Sequence, residues 1–208
     1  MQWNDLIHNR TQTFIFEETK PDISLIEQIV EEVHTRCPSK QNRVKYKLHI
    51  LDWSDADLRM DLYAHTDRNP TDPSNCKYNP QVLAPYLFIW TDRDVEKKFT
   101  RDGVTILNSE YSDSHWGKRQ AEMEIGICSM FTALAAADKG LQSGFCKCIQ
   151  AEKIEEKYGI NPILMMGIGY AKNNPTSYFC PILQKEMPVP SDAYISKPEV
   201  DQYIQYSI

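Results

Sequence analysis

Apolar residues recur every three or four positions through residues 24–36, where Leu25, Ile26, Ile29, Val30 and Val33 fall on one stripe. That spacing predicts an amphipathic helix packed by one face. Ser24 with Glu27 three residues on reads as a capping box at its start. Pro38 ends it, because the residue before a proline is driven out of helical geometry. Over residues 46–53 the period shortens to two, with Leu48 and Ile50 on one side and Lys47 and His49 on the other, which predicts a strand. A short helix over residues 3–9 precedes both. Residues 54–79 are polar and rich in Asp, Asn and Pro, which predicts a short helix over 55–65 and then a long surface loop.

The run Pro85-Tyr86-Leu87-Phe88-Ile89-Trp90 is continuously apolar and predicts a central strand buried on both faces. Residues 91–116 are charged and aromatic without clear periodicity, as expected of a surface cover or a reach toward a partner. Residues 121–139 carry Ile125, Ile127, Met130, Phe131, Leu134 and three consecutive alanines, so the helix predicted there is buried on several sides, with Gly140 as its C-terminal cap. Strands over 141–149 and 162–170 flank a charged helix over 151–158. The tail from Pro175 is punctuated by proline and is long enough to wrap a neighbouring subunit.

With 208 residues, no internal repeat and no linker, the chain is expected to form a single domain spanning 1–208. Its 41% hydrophobic and 25% charged residues suit a globular protein. A net charge of −6 argues against a nucleic-acid partner, since counterion release needs a basic surface. No apolar run approaches the roughly 20 residues of a membrane span, and the N-terminus lacks the features of a signal peptide. A cytoplasmic protein without a membrane partner is expected. The six cysteines include no CxxC pair, so no metal ligand set is assigned, and Cys146 and Cys148 read as free thiols facing one side of a strand.

No GxSxG, HExxH, Walker loop or GxGxxG is present, and the five histidines are scattered. Glu122 and Glu124, two apart on a helix, point to different sides. No catalytic side chain is assigned, and enzyme chemistry would have to come from a cofactor. The polar turn Cys37-Pro38-Ser39-Lys40-Gln41-Asn42, between helix and strand, gathers backbone donors as a site for a phosphorylated ligand would, though an ordinary loop has the same composition. Lys40, Arg43, Lys45 and Lys47 put four cations into eight residues, either a phosphate-binding stripe or a solvated strand face. Arg10, followed by Thr11, Gln12 and Thr13, offers a guanidinium fork beside short polar groups, a set suited to a phosphate monoester.

In order and spacing these segments resemble the FMN-dependent nitroreductase-like family. Residues 10–16 are similar to that family's Arg-Arg-Ser-x-Arg-x-Phe segment, and Pro38-Ser39-Lys40-Gln41-Asn42 to its Pro-Ser-x-x-Asn loop. Tyr78-Asn79-Pro80-Gln81-Val82-Leu83-Ala84-Pro85, Gly140-Leu141-Gln142-Ser143-Gly144 and Gly167-Ile168-Gly169-Tyr170 follow in family order, so the resemblance spans about residues 4–172. It implies an α+β, three-layer fold with helices around a mixed, mostly antiparallel sheet, assembled as a homodimer with extended wrapping segments and FMN at the interface. It implies further that Arg10 pairs with the FMN phosphate, with Thr11 and Gln12 beside it. Pro38, Ser39 and Asn42 of the 38–42 loop, which also carries Lys40 and Gln41, would line the ring from the partner subunit. Asn79, Gln142 and Ser143 would reach the ring's edge.

The activity implied is hydride transfer from NADH or NADPH through FMN to a small acceptor such as a nitroaromatic or quinone. The alternatives are a flavin-binding dimer without turnover and a relative that dehalogenates aromatics or modifies the flavin itself. The chain departs from the family pattern at Thr11 and Phe14, where cations are common, at Val44-Lys45-Tyr46, and after Tyr170, where Lys172 alone stands in for a basic pair. Each lost charge-assisted contact corresponds to about 1.5–3 kcal/mol.

Overall fold

The computed structural model describes residues 3–39, 44–66, 78–93, 98–101, 104–107 and 115–189. In chain order it holds α1 (Trp3–Asn9), α2 (Ile23–Arg36), β1 (Tyr46–Leu51), α3 (Ala56–Ala64), a 3-10 turn (Pro80–Leu83), β2 (Tyr86–Asp92), β3 (Lys98–Arg101) and β4 (Val104–Leu107). It continues with α4 (His115–Asp138), β5 (Gln142–Cys146), α5 (Ala151–Tyr158), β6 (Leu164–Gly169), β7 (Ser177–Cys180) and β8 (Lys185–Pro188).

Four strands form the central sheet in the order β1-β2-β6-β5, each pair antiparallel. The N-terminal segment borders it through a parallel bridge between Gln12 and Ser143 and an antiparallel one between Phe16 and Ala171. Side chains alternate across the sheet, and β2 shows why its run is apolar at every position. Tyr86, Phe88 and Trp90 face α2 and α4, joined by Ile26, Ile29, Ile125, Cys128 and Ile168. Leu87 and Ile89 face the opposite layer, with Leu62 and Tyr63 of α3, Ile154 of α5 and Val82. The sheet therefore lies between two layers, the α+β arrangement expected.

Gly144 and Gly167 sit opposite each other in the β5–β6 register. A Cβ on Gly144 would fall inside the Thr13 carbonyl oxygen, and one on Gly167 inside that of Gln81, with Ala84 Cβ at 2.7 Å. Without side chains at these two positions, main chain from two other segments lies directly on the sheet. Arg59, 4% exposed, holds the second of these segments down. Its guanidinium donates to the carbonyls of Val82 (2.7 Å), Pro85 (3.4 Å) and Ala84. Burial pulls its pKa down to about 10, which leaves it charged at neutral pH.

Three expectations change. Asp22, not Ser24, caps α2: its carboxylate accepts the Ser24 N–H at 2.8 Å, and the helix starts at Ile23 just after Pro21. Part of 91–116 is a hairpin of β3 and β4. The chain beyond Pro175 first folds back on its own body as the β7–β8 hairpin, burying Tyr178 and Cys180 in the core. There the Tyr178 hydroxyl donates to the Tyr78 carbonyl at 3.4 Å. Residues 190–208 lie outside the described residues.

Two predictions follow from packing and charge. Gly167→Ala should lower stability by about 1–3 kcal/mol or more, read as the urea midpoint, and a variant as stable as wild type would refute the close approach. Lys20 holds the Asp52 carboxyl far below the usual carboxylate range, with Ser54 adding a bond, and Lys157, then Tyr158, lowers that of Asp61. A depressed carboxylate stabilises the fold above its unfolded value of about 3.9 and loses that contribution as pH falls through its folded value. The double variant Asp52→Asn with Asp61→Asn should accordingly show a shallower loss of melting temperature between about pH 4 and pH 2.

Candidate functional site

The N-terminal segment is stitched to β5 by side-chain amides. Thr13 N–H donates to the Ser143 carbonyl at 2.9 Å. The Gln12 amide meets the main chain of Phe145 at both ends, Nε2 donating to its carbonyl and Oε1 accepting its N–H, each at 3.0 Å. It stands in for a strand residue. Gln142 Oε1 accepts the Thr11 N–H at 3.1 Å and its hydroxyl at 3.3 Å, while Nε2 donates to the Asn9 carbonyl at 2.8 Å. Arg10, half-buried, leaves α1 with its N–H on the Leu6 carbonyl. Arg10, Thr11, Gln12, Gln142 and Ser143 are thus gathered at one end of the sheet. Beside them a cavity of about 170 Å³ is lined by Thr11, Gln12, Thr13, Lys172 and Pro175, among others. Ser143 Oγ is buried without a hydrogen-bond partner.

A second group forms where α2 meets β1. Cys37 ends the helix with extended backbone, and Pro38 and Ser39 follow. Ser39 Oγ accepts the Val44 N–H at 3.3 Å, and Glu124 Oε2 accepts the next N–H, that of Lys45, at 3.0 Å. Val44 has φ +48°, a left-handed conformation that β-branched residues avoid. Lys40, Gln41 and Asn42 lie outside the described residues, as does Arg43. The basic stripe expected at 40–47 is not continuous: Lys45 is 7% exposed, whereas Lys47 is exposed. The reason is that the strand begins only at Tyr46, so Lys45 belongs to the turn drawn inward by Glu124.

Asn79 serves a third place. Its N–H and Nδ2 both donate to Thr66, at 3.1 Å each, and it is buried. Next to it Gln81 Nε2 donates to the Phe145 carbonyl at 3.1 Å, and Gln81 Oε1 has no partner. Glu124, Arg59 and Gln81 are structurally prominent polar residues to which pattern reading assigns no role. Glu124 could have been found as a carboxylate four residues before Cys128, on the apolar face of its helix. Around it burial pushes the Cys37 thiol up to about 12, with neighbouring Cys128 and Glu124 adding to the shift, and Tyr46 is raised for the same reasons. The Cys37 thiol is held protonated.

No protein-family model matches the chain, and no curated protein matches it in sequence. Solved structures do match in fold. A nitroreductase family protein from Clostridium novyi NT superposes with a TM-score of 0.61 at 20% identity, covering 84% of this chain and 88% of its own. Another from Clostridium difficile 630 gives 0.62 at 15%, covering 100% and 99%. The FMN and NADPH-dependent nitroreductase NfnB from Sphigopyxis sp. strain HMH gives 0.61 at 13%, covering 100% and 99%. The three-layer architecture described above is the nitroreductase fold.

The left-handed Val44 supplies a test of the second group. A β-branched residue there carries strain of about 1–3 kcal/mol that glycine does not. Val44→Gly should therefore be between neutral and about 1 kcal/mol more stable than wild type in urea. A clear loss of stability would speak against the turn.

Proposed function

We propose that this chain is a divergent FMN-dependent oxidoreductase of the nitroreductase family. It would draw electrons from NADH or NADPH and deliver them to a small acceptor, a nitroaromatic, quinone or similar compound. The observation that carries the reading is the cavity at the end of the sheet, bordered by the segment after Arg10 and by Lys172, in a chain with this fold. Its donors suit a phosphate monoester: the hydroxyls of Thr11 and Thr13, the ammonium of Lys172 and the adjacent Arg10. Phe14, standing where relatives carry a cation, packs against the core and leaves the task to those groups.

In this reading Arg10, Thr11 and Lys172 hold the phosphate. Pro38, Ser39 and Asn42 of the partner subunit's 38–42 loop border the ring, and Gln12, Gln142 and Ser143 fix the wall beside it. When bound, FMN supplies the two-electron chemistry. The chain's own residues bind, orient and exclude water. Assembly as a homodimer is supported by α4, where Met123, Met130 and Phe131 are 57%, 43% and 38% exposed and Ile127 and Leu134 half-buried along one stripe. No helix among the described residues is long and apolar enough to cross a membrane.

One observation favours a second reading, a flavin-binding dimer without turnover. Among the described residues lining the cavity Lys172 is the one cation, and the amides of Gln12 and Gln142 are engaged by main chain. A titration separates the two. With excess FMN the purified protein should turn yellow, run as a dimer and oxidise NAD(P)H when a quinone is added. Binding without NAD(P)H oxidation selects the second reading, and a colourless protein rejects both. Arg10→Ala should weaken FMN binding by about 10- to 100-fold with the melting temperature unchanged, and equal affinity would remove Arg10 from the site.

A further inference from the structure

We infer that Arg59 of α3 is a positioning residue for the N-terminal wall of the candidate site and acts through Gln81. This rests on the reading of the cavity beside Thr11 and Lys172 as the flavin phosphate site, which Arg59 itself does not line. Its buried guanidinium donates to the carbonyls of Val82, Ala84 and Pro85. Val82 belongs to the Pro80–Leu83 turn, the other two follow it, and Gln81 sits inside that turn.

Three observations connect Arg59 to that wall. First, β5 lies at one end of the sheet, so alternate main-chain groups along it face away from β6. At Phe145 two side chains meet those groups. Gln12 bonds both the N–H and the carbonyl, and Gln81 Nε2 shares the carbonyl at 3.1 Å. Gln12 lies between Thr11 and Thr13 in the lining of the cavity, so whatever moves Gln81 frees the oxygen that anchors this segment. Second, the height of Gln81 over the sheet is tightly set. A Cβ on Gly167 would stand 2.1 Å from the Gln81 carbonyl oxygen, and one on Gly144 would stand 3.0 Å from Gln81 Cβ. The Arg59 bonds to the carbonyls that follow keep the turn at that height. Third, those bonds come from one planar fork to three main-chain carbonyls, a geometry that neither lysine nor methionine reproduces.

The test uses the full-length protein with Arg59→Met, Gln81→Met, the double variant and Tyr63→Phe. Tyr63 shares α3 with Arg59, and its hydroxyl contacts Tyr178 and Cys180 in the core, so Tyr63→Phe controls for general loosening. FMN affinity is read by flavin fluorescence, exchange of the Phe145 N–H by NMR on flavin-free protein, and stability by thermal melt. Arg59→Met and Gln81→Met should each weaken FMN binding about tenfold and speed Phe145 exchange about tenfold. Because both act through one contact, the double variant should stay within about twofold of either single variant in both readouts. Tyr63→Phe should lower the melting temperature and leave FMN affinity within about twofold of wild type. If Arg59→Met fails to fold, Arg59→Lys, which keeps the charge without the fork, replaces it in the cycle. Losses that multiply in the double variant overturn the inference, as does a Tyr63→Phe protein that binds FMN as weakly as the Arg59 variant. Wild-type Phe145 exchange in the folded Arg59 variant overturns it too, and so does faster exchange with unchanged FMN affinity. A wild-type protein with a protected Phe145 amide that takes up no FMN overturns the flavin reading instead, and the exchange cycle then decides the coupling of Arg59 to Gln81 by itself.

Discussion

The close approach of main chain to the sheet at Gly144 and Gly167 is the constraint from which the rest of the candidate site follows. Side chains at these paired positions would occupy the space of the Thr13 and Gln81 carbonyls. Because both are glycine, the N-terminal segment runs along β5 at hydrogen-bonding distance, and the turn after Asn79 lies flat beside it. That proximity lets the short amides of Gln12, Gln81 and Gln142 reach main chain on neighbouring segments, two of them meeting at the Phe145 carbonyl. The small cavity next to Thr11 and Lys172 is what remains at the border of this array. A bulkier strand would lift the N-terminal segment away and take Arg10 with it.

Much of this was legible in the sequence where periodicity is strong. The apolar stripe of α2, the continuous run of β2 and the charged helix 151–158 appear at or within a residue or two of their expected ends, because each buries a face the pattern defines. Local chemistry of equal strength was overlooked elsewhere. Asp102-Gly103 between Phe99-Thr100-Arg101 and Val104-Thr105-Ile106 is a hairpin signal hidden by the surrounding charge. Asp22 outcompetes Ser24 as cap because Pro21 fixes where the helix can begin. The β7–β8 hairpin depends on Tyr178 meeting Tyr78, a contact across a hundred residues that no local pattern encodes.

The candidate site divides the same way. Motif order placed Arg10, Thr11, Gln12, Gln142 and Ser143 in two segments, and those segments lie side by side in the fold. What order could not reveal is how their polar atoms are used. Gln12 and Gln142 hold main chain, and Lys45 is drawn into the turn instead of extending a basic stripe. Such outcomes depend on which donors and acceptors lie within about 3 Å in the folded chain, a quantity set by tertiary packing.

Helix α4 joins these themes, because its two sides do different work. Toward the sheet it presents Ile125, Cys128, Ala133 and Ala136, with Glu124 as the polar member that reaches the turn before β1. Away from the sheet it presents methionines and Phe131 to the outside. The conspicuous buried polar groups, Arg59 on three carbonyls, Asn79 on Thr66 and Glu124 on Lys45, all hold main chain in position. Each of these bonds fixes one segment of main chain against another, so the buried polarity of these three residues shapes the backbone on which the candidate site is built.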